Sequence, residues 1–91
     1  MAITEIYYTS WCPYCHQAKK LLDRKGVKYD GIDLTHAEPD QIQEMRERSG
    51  RTSVPQIFID GRHVGGFDDL SILERSGELD TLLNLEIGEE L

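Results

Sequence analysis

Two cysteines three residues apart, in Trp11-Cys12-Pro13-Tyr14-Cys15-His16, sit where a short apolar segment hands over to a helical pattern. That junction constrains the chain more than any other stretch. If Cys12 opens the helix, its sulfur faces backbone N–H groups that have no partner inside the helix. The positive end of the helix dipole then favours thiolate over thiol. Pro13 suits the first helical position, where an N–H is not needed. Cys15 falls one turn later on the same face and can reach back to Cys12. An attacking sulfur at the surface with a resolving thiol behind it is the minimum equipment for thiol–disulfide exchange.

Other readings of the pair fit less well. A closed zinc site needs four ligands, and the chain has no third cysteine. His16, His36 and His63 fall at no paired spacing that would complete one, so no metal is expected. A static disulfide across so few residues closes a tiny loop and constrains almost nothing. A redox pair is favoured.

Composition narrows the setting. The 91 residues point to a single domain, 1–91, with a modest core. Hydrophobic content of 38% and charged content of 30% describe a globular chain with no run long enough to span a membrane. The N-terminus lacks the basic-then-apolar layout of a secretory signal, so the cytoplasm is the expected location. In a reducing compartment a close cysteine pair is catalytic more often than structural. A net charge of −7 argues against nucleic acid as a partner. Five of the seventeen acids lie in the last fourteen residues with no base among them, an acidic end expected to be solvated and frayed over residues 86–91.

In chain order, Ile3 to Thr9 reads as a buried strand, short and rich in β-branched and aromatic residues. From Pro13 the period changes to that of a helix through Cys15, Ala18, Leu21, Leu22 and Lys25, ended by Gly26. Val27 to Leu34 reads as a second strand with a bulge at Gly31. Pro39 opens a second helix with a thin inward stripe of Ile42, Met45 and Ser49, capped by Gly50. Pro55 to Ile59 and Arg62 to Val64 form a hairpin around Asp60-Gly61. Asp68 is expected to cap a third helix that stops near Gly77, and Leu79, Leu82 and Leu83 suggest a short last helix. The order β-α-β-α-β-β-α gives a small mixed four-stranded sheet flanked by helices, an α/β fold.

Cys12-Pro13-Tyr14-Cys15, Ser53-Val54-Pro55 and Gly65-Gly66-Phe67-Asp68-Asp69-Leu70 together resemble the dithiol glutaredoxins of bacteria, over Glu5 to about Leu83. The resemblance implies a thioredoxin fold. It also implies a glutathione-dependent oxidoreductase that reduces protein disulfides and protein–glutathione mixed disulfides through Cys12 and Cys15. Glutathione would be the reducing co-substrate, and a monomer is expected. By the same resemblance Pro55 is cis, opposite the cysteines, and Val54 offers its backbone to an extended substrate. The N–H groups of Phe67 and Asp68, after Gly66, would hold the γ-glutamyl carboxylate, and Asp68 or Asp69 its amino group. Arg51, and more weakly Arg48, would meet the glycine carboxylate, with Tyr14 flanking the groove.

The chain departs from the family pattern at three positions. Thr9 stands where lysine is common, Trp11 where a small polar residue is usual, and Phe67 where cysteine or serine is common. These changes bear on substrate preference, not on the class of reaction. His16 lies one turn from Cys12 and reads as a solvent-facing helix residue. Two rivals remain open: a thioredoxin-like electron donor served by a reductase protein, and a dimer sharing an iron–sulfur cluster through Cys12. An acidic interaction domain would require the whole pattern to be accidental.

Overall fold

Alternation along β1 (Thr4–Tyr8) turns Ile6 and Tyr7 to opposite faces, and each seeds its own apolar cluster. The computed structural model describes residues 2–83. The remaining strands are β2 (Asp30–Asp33), β3 (Gln56–Ile59) and β4 (Arg62–Gly65). They pair in the order β2-β1-β3-β4, with β1 parallel to β2 and antiparallel to β3, and β4 antiparallel to β3. β3 is buried along its whole length, as a central strand covered on both faces must be.

Helices α1 (Pro13–Arg24), α3 (Phe67–Ser76) and α4 (Glu78–Leu82) cover one face. There Ala18, Leu21, Leu22, Leu70 and Leu79 close over Ile6, Ile57 and Ile59. The other face holds a smaller cluster, Tyr7, Leu34, Phe58 and Met45, the last from α2 (Pro39–Ser49). The mixed α/β sheet with flanking helices is the fold read from the sequence. Among the described residues no helix is long and apolar enough to cross a membrane.

Several boundaries shift, each for a physical reason. β1 does not bury Ile3, whose N–H and C=O instead pair with Asp60 while its side chain is 63% exposed. β2 is four residues long rather than eight, an exposed edge strand bearing Asp30 and Asp33, residues that discourage further pairing. Gly31 marks no bulge. Its pairing with Ile6 is regular, and it is small because a Cβ there would come 2.9 Å from the Tyr8 ring. The irregularity lies between Ile57 and Phe58, in the β3–β4 ladder. The hairpin turn is as expected: Asp60 and Gly61 both take positive φ, 53° and 78°.

Helix ends follow local chemistry. Gly50 and Gly77 adopt left-handed conformations after α2 and α3. Asp68 does not cap α3. The helix begins two residues earlier, with Gly66 at the cap, and Asp69 reaches back to accept the Gly66 N–H at 3.0 Å. Asp68 is left in the first turn, where its charge suits the dipole. The thin stripe on α2 buries Met45 alone, and Arg48 supplies the missing anchor. Its guanidinium donates to Tyr7 Oη at 2.8 Å and Glu5 Oε1 at 2.9 Å, and lies 4.0 Å from the Phe58 ring centre. Lys25 ties α1 to the C-terminal helices through Glu74 at 2.6 Å and Asp80 at 2.8 Å. Leu79 and Leu83 are buried as the short last helix required; the expected fraying over 86–91 lies outside the described residues.

Leu22 joins α1 to the sheet with no exposed surface. Leu22→Ala is expected to lower unfolding stability by about 3 kcal/mol in urea titration, whereas Ile72→Ala, at a residue 55% exposed, should change it by less than about 0.5 kcal/mol.

Candidate active site

Cys12 is the N-cap of α1, with extended backbone (φ −91°, ψ 111°), and Pro13 follows at the first helical position. The Cys15 N–H, one of the helix's orphan donors, points at the Cys12 sulfur from 3.2 Å. The cap is held from both sides: Cys12 N–H donates to Thr9 O at 3.4 Å, and His16 N–H to Cys12 O at 3.2 Å. Both cysteines carry free thiols, Cys12 partly exposed and Cys15 fully buried. Burial pushes the Cys15 thiol up to about 12, and its hydrogen bond with Cys12 pushes in the same direction. The accessible sulfur is therefore that of Cys12, with Cys15 behind it as a protonated reserve.

Across from the cysteines runs the loop between α2 and β3. Its Val54–Pro55 bond is cis, as the resemblance implied. The Cys12 thiol lies 3.7 Å from the Val54 carbonyl oxygen, towards which it donates. Val54 and Pro55 also begin the wall of an open cavity of about 330 Å3. Tyr14 from α1, Arg51 from the loop, and Gly66, Phe67, Asp68 and Asp69 from the start of α3 complete it, together with Ser53 and Gln56. Eight of the nine residues expected to meet glutathione thus line one cavity, Arg48 being the exception, and Cys12 stands at its edge through Val54.

The far wall is the N-terminus of α3. The N–H groups of Phe67 and Asp68 make no hydrogen bond within the described residues, and both residues line the cavity at the positive end of the helix dipole. Tyr14 and Phe67 stack with ring centres 6.4 Å apart and form an aromatic flank. Trp11, 68% exposed, lies beside Cys12 outside the cavity.

The two arginines differ in place. Arg51 lines the cavity, and its guanidinium donates to Asp69 at 3.0 Å. Arg48 is outside the cavity, engaged by Glu5 and Tyr7. Thr9 has a buried hydroxyl with no partner among the described residues. His16 is exposed and its ring bonds the Ser10 carbonyl at 2.9 Å, which leaves it turned to the loop rather than to Cys12.

Ser53 stood in the sequence only as part of the Ser53-Val54-Pro55 segment, with no role of its own, and Gln56 was not singled out. The available signal was a glutamine opening an otherwise apolar strand, where a buried amide demands partners. Gly65 is also tied to the site: it sits at φ +122°, and a Cβ there would strike the Asp69 carboxylate.

A dithiol at a helix N-terminus, facing a cis-proline loop on a four-stranded mixed sheet, defines a thiol–disulfide oxidoreductase of the thioredoxin fold. The glutaredoxin family model matches residues 4–64. Glutaredoxin 3 of Escherichia coli is 52% identical over 83 residues, covering 91% of this chain and 99% of that protein. The solution structure of glutaredoxin from Brucella melitensis is 53% identical, covers 91% of this chain and 89% of that one, and superposes with a TM-score of 0.79. A crystal structure of a buckwheat glutaredoxin–glutathione complex is 34% identical, covers 91% and 77%, and has a TM-score of 0.81. The chain belongs to the glutaredoxin family and is a glutaredoxin oxidoreductase.

Asp69 carries a measurable signature of this network. The Arg51 hydrogen bond, and next the Gly66 N–H, hold its carboxyl below the ordinary 3.8. A carboxyl lowered in the folded state stabilises it above the unfolded value and loses that contribution as pH falls through the folded value. The stability advantage of the protein over Asp69→Asn is thus expected to be full at neutral pH and to shrink only below pH 3.8, as read by melting curves across an acid series.

Proposed function

We propose that this chain is a glutathione-dependent reductase of protein disulfides and protein–glutathione mixed disulfides, acting as a one-domain monomer in the cytoplasm. The observation that carries the reading is the cavity itself. It begins beside a sulfur that accepts a helix N–H and ends at a helix N-terminus with two free donors. Glutathione is an extended tripeptide with a central thiol and a carboxylate at each end, and its chemistry matches that layout. A reducing compartment is also the setting in which a dithiol can be returned to its working state.

In this reading the γ-glutamyl carboxylate sits on the Phe67 and Asp68 N–H groups. Its ammonium meets the side chain of Asp68, the carboxylate not already engaged by Arg51. The cysteine of glutathione pairs with the backbone of Val54, which delivers its sulfur to Cys12. Arg51 can leave Asp69 for the glycine carboxylate, because both groups are near half exposure and such a pair is weak. Tyr14 and Phe67 flank the chain, with Gly66 and Pro55 shaping the floor.

Chemistry follows from the two thiols. The Cys12 thiolate attacks one sulfur of a target disulfide; that S–S bond breaks, the other target sulfur leaves as thiolate, and a mixed disulfide forms. Cys15 gives up its proton and attacks the Cys12 sulfur, which releases the second target thiolate and forms the Cys12–Cys15 disulfide. Two glutathiones then restore the dithiol and leave as glutathione disulfide. With a glutathionylated target, Cys12 attacks the glutathione sulfur and the target leaves reduced. A second glutathione removes the first from Cys12, so Cys15 is not required.

Release of glutathione from a glutathionylated peptide, driven by glutathione, is the test. Cys12→Ser is expected to lose turnover by at least about a hundredfold, as expected for removal of a nucleophile, and Cys15→Ser to keep it. No turnover by the reduced wild type would favour a reductase-served electron donor instead.

A further inference from the structure

Gln56 is a buried amide at the start of β3, and every polar atom of its side chain is committed. Its Nε2 donates to the Ser53 carbonyl at 3.0 Å and approaches the Ser53 hydroxyl at 3.5 Å. Its Oε1 lies 2.7 Å from Nε2 of His63 on β4. Gln56 lines the cavity beside Cys12, whereas His63 lines a second, separate cavity between β4 and α3. The two side chains join through the wall between them.

The chemistry of the partners fixes the direction of each bond. A carbonyl oxygen only accepts, so the Gln56 amide must turn its NH2 to Ser53 and its oxygen to His63. An oxygen at 2.7 Å from a ring nitrogen then requires the proton on that nitrogen, and neutral His63 is the Nε2–H tautomer. The Phe58 ring, 5.1 Å away, packs on the imidazole and holds its plane.

The Ser53 carbonyl shares its peptide plane with the Val54 N–H, and in a trans peptide the two point in opposite directions. Pinning the carbonyl to Gln56 therefore aims the Val54 N–H away from Gln56. That N–H has no hydrogen-bond partner among the described residues, while the carbonyl of the same residue stands 3.7 Å from the Cys12 sulfur. Val54 precedes a proline and so favours extended backbone, in which its own N–H and C=O face one side.

We infer that Gln56 and His63 are positioning residues that lock the Ser53–Val54 peptide plane so that Val54 presents a fixed N–H and C=O to the substrate backbone beside Cys12. The inference rests on the proposed pairing of substrate with Val54. It adds two residues that touch no reacting atom, one of them on the far side of the cavity wall.

The test compares Gln56→Leu and His63→Phe with wild type in glutathione-driven turnover of a glutathionylated peptide. Loss of one well-aimed hydrogen bond to substrate is expected to raise KM about fivefold for Gln56→Leu, with kcat within about twofold. His63→Phe, which keeps a ring against Phe58, should raise KM in the same direction by a smaller factor. Unchanged KM in both variants would overturn the inference. So would a rise confined to Gln56→Leu, since that would mean Gln56 acts by touching substrate itself. Long-range 1H–15N spectra of wild type above neutral pH supply a readout independent of turnover and of variant folding. Protonated Nε2 and bare Nδ1 on His63 are expected, and the reverse tautomer would overturn the inference. Absence of wild-type turnover would instead count against the proposed function, and the tautomer would still decide the placement of Gln56.

Discussion

The hydrogen bond from the Cys15 N–H to the Cys12 sulfur is the contact on which the site depends. It exists because α1 begins at Pro13, and α1 begins there because Pro13 fits the first turn and Thr9 O holds the Cys12 N–H. The helix cannot shift to spoil it. Ala18, Leu21 and Leu22 fix the helix axis against Ile6 and Ile57, and Lys25 fastens its other end to Glu74 and Asp80. The two cysteines consequently differ in depth and in partner: one sulfur at the rim of a cavity accepts a helix N–H, and the other lies buried under it. That difference leaves the Cys12 sulfur as the accessible one and Cys15 as the buried one.

The opposite wall is organised by Asp69. One carboxylate accepts the Gly66 N–H, holds Arg51, and occupies the space that Gly65 leaves open by lacking a Cβ. With Asp69 so used, the donors of Phe67 and Asp68 stay free at the helix start. The site thus joins two helix N-termini, that of α1 at the sulfur and that of α3 at the far wall, across the loop that carries Val54 and Pro55. Both termini offer N–H groups to negative charge, which is how a chain of net charge −7 can still present a site suited to an anionic ligand.

Features set by neighbours in sequence were legible. Pro13 and Pro39 at helix starts, Gly50 and Gly77 at helix ends, and the Asp60-Gly61 turn all act within a few residues. The motif cysteines and the Gly66 to Asp69 segment could be placed because one end of each lies on a helix start. What escaped was non-local. Arg48 reaches Tyr7 and Glu5 across more than forty positions, so its charge looked available for a ligand. Gly31 is small for the sake of a Tyr8 ring on the next strand, which mimics the sequence signal of a bulge. Asp68 suits a cap, but Gly66 takes that place and Asp69, three residues on, accepts its N–H. Gln56 read as one polar residue in a strand until Ser53 and His63 were seen on either side of it.

The division of labour between the two sulfurs is tested most directly by labelling the reduced wild type with limiting iodoacetamide at neutral pH and mapping the adduct by mass spectrometry. With Cys15 buried and its thiol pushed up to about 12, alkylation is predicted on Cys12 while Cys15 stays unmodified. Label arriving on Cys15 first, or on both at equal rates, would contradict the account.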